Sequence, residues 1–448
     1  HPHDMKAATN EKAIEQLAPP AVVVIPMSMH FGAPCTPLVK AGDHVKVGQK
    51  IGEFHGLGAP IHASVSGTVK AVEPRPYSMG GNITSVVIEN DMQDEVSEEV
   101  QAPADPNALS VEEMVEIVKN AGIVGMGGAT FPTHVKITSG IGKVNTVIIN
   151  GAECEPYITG DHRTMLERPE EIIGGAKFLA KMFGVDKVVI GVEDNKRNGI
   201  DAMNKVIAEQ KAPVVVEPLR CRYPQGGEKQ LCQAITGRQV PPGGLPADIG
   251  CAVFNINTTC AIYRALTTGM PVVRKIVTVS GSGVVEPKNL ECPIGTPVSS
   301  LLDACGGLKD GTYKLIAGGP MMGMAQYTAD ISVAKGTGAI LAFCENEEKT
   351  VENPQCIRCG KCVSVCPMHL EPLFMYQYAS KGMVEELNDA HIMDCMECGA
   401  CSYICPARMH LTHMFKTGKQ LVKDKAAADR AAAEAKKKAE EAKEAAAK

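Results

Sequence analysis

Two cysteine runs constrain this chain more than any other feature. They read Cys356-x2-Cys359-x2-Cys362-x3-Cys366-Pro367 and Cys395-x2-Cys398-x2-Cys401-x3-Cys405-Pro406. Thiolates three residues apart on a turning backbone can hold three corners of one iron–sulfur cubane. In paired runs of this kind the fourth Cys ligates the other cluster. The spacing therefore predicts two [4Fe-4S] clusters, one on Cys356, Cys359, Cys362 and Cys405, the other on Cys395, Cys398, Cys401 and Cys366. Zinc needs only four ligands, usually from two C-x2-C halves, which leaves the third Cys of each run and the Cys-Pro ending without a role. A module of this kind passes single electrons. The 28 residues between the runs include helix-like stretches at 373–378 and 382–388, so a helical two-cluster ferredoxin module is expected.

The other nine of the 17 cysteines are scattered: Cys35, Cys154, Cys221, Cys232, Cys251, Cys260, Cys292, Cys305 and Cys344. They read as small buried hydrophobes. Disulfides suit small secreted domains, whereas this chain has 448 residues and no charged-then-apolar export signal at its start. It begins at His1, so a few native residues are expected ahead of it. No run of about 18 apolar residues predicts a membrane span. A formal net charge of -6 leaves no broad basic field for nucleic acid.

The pattern along the chain predicts a multidomain α/β and α+β protein. Residues 1–20 read as an extended lead-in, and 22–89 as a small all-β unit of short apolar runs broken by Gly, Pro and Asp. An acidic, Pro/Ala-rich linker spans 91–109. Ser110 with Glu113 fits a capping box; Met114, Ile117, Val118 and Ala121 give the helical stripe, and Gly122 ends it. Runs at 144–150, 187–192 and 214–216 read as buried strands, with a helix over 196–209. Such alternation predicts a parallel, Rossmann-like sheet. The β pattern returns from Lys275 to Gly307 with a short helix, Val298–Ala304. From Lys423 the chain is nearly all Ala, Lys, Glu, Asp and Arg, a solvated helix. The expected domains are 1–100, 110–272, 273–345, 346–415 and a charged helical tail at 416–448.

A glycine loop, Gly125-Met126-Gly127-Gly128-Ala129-Thr130-Phe131-Pro132, follows the first helix, with Lys136 close behind. Close glycines let backbone N–H groups approach a phosphate or a flat ring. Asn150-Gly151-Ala152-Glu153-Cys154-Glu155-Pro156 ends a predicted strand, where open α/β sheets bind ligands. Tyr223-Pro224-Gln225-Gly226-Gly227-Glu228, Pro241-Pro242-Gly243-Gly244 and Asn255-Ile256-Asn257-Thr258 follow. In this order the segments resemble the flavin- and NADH-binding subunit of respiratory complex I. The resemblance implies that Gly125, Gly127, Gly128 and Lys136 cradle FMN, and that Asn150, Asn255 and Thr258 bind its phosphate or ring. It places Glu153, Glu155 and Glu228 near flavin and nicotinamide, with Glu153 and Glu155 as the catalytic pair. Ala152, Asn257 and Lys229 depart from the acidic residues of that family. A β-grasp, soluble-ligand-binding domain is implied next.

Gly42-Asp43-x-Val45-x-x-Gly48 and Ala63-Ser64-Val65-Ser66-Gly67 resemble the halves of a lipoyl-type barrel-sandwich hybrid. The tip between them, Phe54-His55-Gly56-Leu57-Gly58-Ala59-Pro60, has no Lys to carry a lipoyl or biotinyl arm, so a docking role is expected. His30, His44, His55 and His62 lack paired metal-ligand spacing and read as core or solvated histidines.

Barrel-sandwich, flavin domain, β-grasp and two-cluster ferredoxin, in that order, resemble the C subunits of Rnf ion-translocating ferredoxin:NAD oxidoreductase complexes, as do His1-Pro2-His3-Asp4-Met5-Lys6 and Ile25-Pro26-Met27-Ser28-Met29-His30. The resemblance covers the chain to about residue 420. It implies a peripheral subunit on the cytoplasmic face of the cell membrane, beside integral membrane subunits. Hydride exchange between NAD(H) and FMN and one-electron steps through two [4Fe-4S] clusters would connect, indirectly, to ferredoxin. The whole complex would couple this to Na+ or H+ movement. Two rivals are a corrin (cobalamin) reductase of bacterial microcompartments and a non-catalytic electron wire or scaffold.

Overall fold

The computed structural model describes residues 2–344 and 351–446. The chain divides into two compact units, His1–Glu348 and Lys349–Lys448. The expected domain boundary at 345–346 lies outside the described residues.

Valine- and isoleucine-rich runs suit strands covered on both faces, and three of them, joined by Cys251–Asn255, form an all-parallel sheet in the first unit. The order is Val214–Leu219, Val188–Glu193, Thr146–Gly151, Cys251–Asn255. Val147 and Ile149 face the main core, while Ile148 and Val253 join a smaller cluster with Leu231 and Cys232 on the other side. The chain leaves Thr146–Gly151 towards Val188–Glu193, and the last strand returns to the opposite edge of Thr146–Gly151. The strand order therefore reverses between Thr146–Gly151 and Cys251–Asn255, the kind of switch point at which open α/β sheets form a crevice. Asn150 and Asn255 are direct partners across it. The helix Val111–Asn120 carries the expected capping box between Ser110 and Glu113, and Gly122 follows with φ +65°.

The N-terminal β unit forms a sandwich of a four-stranded sheet (Val22–Pro26, Asn82–Asn90, Gly67–Pro76, His44–Val45) and a three-stranded one (Thr36–Pro37, Lys50–Glu53, Ile61–His62). Its tip docks within the chain. The Phe54 ring lies 6.0 Å from that of His134, and Pro60 O accepts from Lys335 Nζ at 2.8 Å. Lys335 also donates to Gly122 O at 2.7 Å, so one buried side chain joins all three modules of the unit.

The β-grasp sheet has six strands and corrects one expectation. Ile14–Gln16, read from sequence as part of a lead-in, pairs in parallel with Lys288–Pro293 at the sheet's edge. Three residues with one apolar side chain carry no strand pattern; main-chain pairing to an open edge holds them there. The helix Val298–Ala304 is where it was expected.

The second unit packs Pro372–Ser380, Val384–Asp389 and the start of a long helix, Leu411–Ala446. This helix runs through the boundary expected at residue 416. Leu411, Phe415 and Val422 bury one stripe in a core with Met375, Leu387 and Ile392. A Cβ at Gly418 would stand 2.7 Å from Ile392, so glycine allows the helix to lie close. Residues 423–438 are exposed, as expected of a solvated tail.

Candidate redox site

The two cysteine runs fold as a near-exact internal repeat. Arg358 and Glu397, two residues after the first Cys of each run, have φ +55° and +57°; Gly360 and Gly399 have +74° and +76°; His369 and Arg408 have +55° and +57°. At three of these left-handed turns an amide points at sulfur. Arg358 N donates to Cys356 Sγ, Glu397 N to Cys395 Sγ and Leu370 N to Cys366 Sγ, each at 3.4 Å. Amide donors of this kind suit thiolates that carry a cluster's charge. One cavity is lined by Cys366 with Cys395, Cys398 and Cys401. The other is lined by Cys405 with Cys356, Cys359 and Cys362. The fold thus gathers the eight thiols in the crossed sets the spacing predicts. Among the described residues no group of three or more His, Cys, Asp or Glu converges enough to hold a single metal ion. Four thiols lining each cavity are the donor set of a [4Fe-4S] cluster. The two sites differ: Cys356 and Cys359 are exposed, whereas Cys398 and Cys401 are buried.

In the parallel α/β domain, the glycine loop is pinned at the switch point. Thr258 Oγ1 accepts from Met126 N at 2.9 Å and bonds Val124 O at 3.2 Å, so Thr258 shapes the loop. Asn255 caps the helix Ile256–Thr268 by accepting from Asn257 N. A Cβ at Gly127 would stand 2.8 Å from Asn255 Nδ2, whereas at Gly128 it would meet nothing within 4 Å. Among the described residues the amides of Gly127 and Gly128 donate to no protein acceptor. Gly125 N bonds Phe131 O and closes the loop. Open backbone donors beside a helix N-terminus fit an anionic or ring-edge group. Lys136 Nζ reaches Glu228 Oε1 at 2.7 Å and Val253 O at 3.0 Å, and Asn150 Nδ2 donates to Gly226 O at 2.9 Å. The predicted residues therefore converge around two glycine turns and the strand ends between them.

Glu153 and Glu155 are brought to the same place, but their carboxylates are engaged by main chain. Glu153 accepts from Asp161 N (2.6 Å) and His162 N (3.2 Å), capping the helix Gly160–Glu167. Glu155 accepts from Met321 N (3.1 Å) and Met322 N (2.9 Å) of the β-grasp domain. Burial pushes each of them up to about 7, against opposing Lys6 in both cases.

Beneath the loop lie residues that sequence reasoning missed. Lys6, only 5% exposed, donates to the carbonyls of Glu153 and Glu155 at 2.9 Å each and also to Ile158 O. Lys196 donates to Ala152 O at 2.7 Å. Asp161 accepts from Asn255 Nδ2 (2.7 Å) and Asn257 Nδ2 (2.6 Å). Burial lowers Lys275 to about 8 despite the Asp161 carboxylate, and its ammonium reaches Met126 O at 3.3 Å. Asn257, a departure from the complex I pattern, thus has a partner in Asp161. The one sequence signal for Lys6 was its place in the His1–Lys6 motif; nothing local marked the others.

Four family models match in the order of the modules: the RnfC barrel sandwich hybrid domain over residues 1–93, the Nuo51 FMN-binding domain over 118–264, the SLBB domain over 276–325 and a 4Fe-4S dicluster domain over 348–406. Among solved structures, an NAD+-reducing [NiFe]-hydrogenase in the H2-reduced state aligns with TM-score 0.51 at 19% identity, covering 69% of this chain and 64% of that one. That likeness concerns the fold alone, and this chain spans less than two thirds of that protein. The C subunit of the Na(+)-translocating ferredoxin:NAD(+) oxidoreductase complex of Acetobacterium woodii is 45% identical over 396 residues, 88% of this chain and 89% of that one. The proton-translocating counterpart of Clostridium ljungdahlii is 43% identical over 393 residues, 87% and 86% of the two chains. With identity of this order across nearly the whole of both relatives, and all four modules in sequence, the chain belongs to the C-subunit family of ion-translocating ferredoxin:NAD(+) oxidoreductase complexes.

Proposed function

We propose that this chain is the peripheral electron-transfer subunit of a ferredoxin:NAD(+) oxidoreductase complex, exchanging hydride with NAD(H) at the switch point and single electrons at the two cysteine cavities. The observation that carries the reading is the pair of open amides at Gly127 and Gly128, set at the switch point in the same chain as two complete cubane ligand sets. FMN, when bound, takes two electrons as hydride and releases them singly, and the clusters accept them one at a time.

The protein's own groups supply position. Gly127 and Gly128 offer backbone donors to phosphate or ring edge, and Thr258 and Lys275 hold the loop that presents them. Lys136 brings positive charge, tethered by Glu228, and Asn150 and Asn255 line the crevice as cross-strand partners. Glu153 and Glu155 fix the loop between Gly151 and Thr159 through main-chain amides, so positioning is their assigned role. No helix among the described residues is long and apolar enough to cross a membrane. Ion movement is therefore assigned to integral membrane partners, with this subunit on the cytoplasmic face. The RnfC barrel sandwich hybrid model matches residues 1–93, which supports this reading over a corrin reductase.

Anaerobically purified protein is expected to carry FMN and two clusters, with a flavin spectrum bleached by NADH. Clusters without any flavin after gentle purification would overturn the proposal.

A further inference from the structure

Glu155 is fastened by groups outside its own loop. Its carboxylate accepts two consecutive amides, Met321 N and Met322 N, from the turn between the β-grasp strands Thr312–Ala317 and Met324–Gln326. It bonds in addition to Tyr223 of the second glycine-rich turn. Gly319 presses against it: a Cβ there would stand 2.2 Å from Glu155 Oε2 and 2.3 Å from its carboxyl carbon. The loop carrying Glu155 is itself strained, with Glu153 at φ +48° and Tyr157 at φ +68°. Such backbone persists where its surroundings over-determine it, and here the Lys6 ammonium grips its carbonyls. With both oxygens engaged, Glu155 cannot turn to a substrate without releasing the β-grasp turn. On that turn Met322 leaves 46% of its surface exposed, a flexible thioether suited to packing on a flat aromatic ring.

We propose that Glu155 is a positioning residue that latches the turn Gly318–Gly323 onto the flavin domain and makes this turn, through Met322, a wall of the dinucleotide site. The inference rests on the reading of that site as the place of NAD(H) exchange. It gives the β-grasp domain a share in nucleotide binding.

The test is hydrogen–deuterium exchange on the anaerobic, full-length holoprotein, following peptides across residues 318–324 with and without NAD+, beside steady-state NADH oxidation. Glu155→Ala removes the acceptor, and Gly319→Ala pushes on the same contact from the other side, so either variant can report if the other fails to fold. Both are expected to speed exchange at Met321 and Met322 at least tenfold. Both should raise KM for NADH about tenfold, with a much smaller change in kcat and undiminished FMN content. Met322→Ala should raise KM while leaving the exchange as in the wild type. Unchanged exchange in Glu155→Ala and Gly319→Ala overturns the latch, and faster exchange with unchanged KM overturns the wall. NAD+ should slow wild-type exchange at the turn, and no such protection also overturns the wall. Protection by NAD+ in a protein whose flavin NADH cannot reduce would uphold the wall and sink the hydride reading instead.

Discussion

Replacing Lys335 by Met tests the junction of the three modules in the first unit. Lys335 is 1% exposed and its Nζ donates to Pro60 O and Gly122 O. Burial lowers it from 10.5 to about 7, with only the Cys35 thiol opposing. At about 1.4 kcal/mol per pH unit, that displacement corresponds to roughly 5 kcal/mol across the interval. The unfolded chain keeps this proton up to pH 10.5 and the folded chain loses it near 7, so between those values the unfolded state binds more protons and stability rises with pH. From pH 7 to 9.5 the wild type should gain roughly 3 kcal/mol from this group. Lys335→Met deletes the gain. Two carbonyls then lose their donor, at about 1–3 kcal/mol each, while the cost of burying an ammonium disappears. The two proteins should therefore be close in stability at pH 7 and the variant clearly weaker at pH 9.5. Lys275, lowered to about 8, adds a rise of the same sign to both proteins and cancels in the comparison. Anaerobic urea unfolding of the full chain, followed by circular dichroism at the two pH values, reads the difference. Parallel pH dependence in the two proteins would refute the account of Lys335.

Crossed ligation predicts that Cys356→Ala and Cys405→Ala damage one cluster while Cys366→Ala damages the other; electron paramagnetic resonance showing Cys356→Ala and Cys405→Ala losing different clusters would sink the pairing. Gly127→Ala places a Cβ 2.8 Å from Asn255 Nδ2; displacing a helix cap costs about 1 kcal/mol, so FMN affinity should fall by roughly fivefold in a fluorescence titration, while both cluster signals persist. Arg168→Ala leaves Glu291, 5% exposed, without the guanidinium that bonds its carboxylate. Burial alone would raise Glu291, but Arg168, Gln16 and Arg264 bring it down to about 2; with Gln16 still bonded and Arg264 still 3.7 Å away, loss of the Arg168 bonds should cost about 2–3 kcal/mol in thermal unfolding, part of it restored by adding Glu291→Gln.

What was legible in the sequence was what local spacing decides. The crossed cysteine sets follow from intervals of two and three residues, and the capped helix at Ser110 from a four-residue box. Three of the four parallel strands follow from Val/Ile runs; the fourth, Cys251–Asn255, has no such run, and with it the reversal beside Thr146–Gly151 was not legible. What was not legible depends on partners brought in by tertiary folding. Ile14–Gln16 is a strand only because Lys288–Pro293 offers an open edge. Lys6, Lys196, Lys275 and Lys335 look like solvated charges in the sequence and are all buried, each donating to main-chain carbonyls. Glu153 and Glu155 were found by resemblance, yet their bonds to amides of a helix start and of a different domain could not be read from their own loop.

The central claim is that hydride taken at the switch point leaves as single electrons through the cysteine cavities. An anaerobic rapid-mixing experiment with NADH tests it most directly, following flavin absorbance and the cluster resonance signals together in the wild type and in Gly127→Ala. The account predicts that flavin bleaching precedes the appearance of cluster signals, and that both slow together in the variant in proportion to its lost FMN. Cluster reduction by NADH at the wild-type rate in protein stripped of flavin would contradict it.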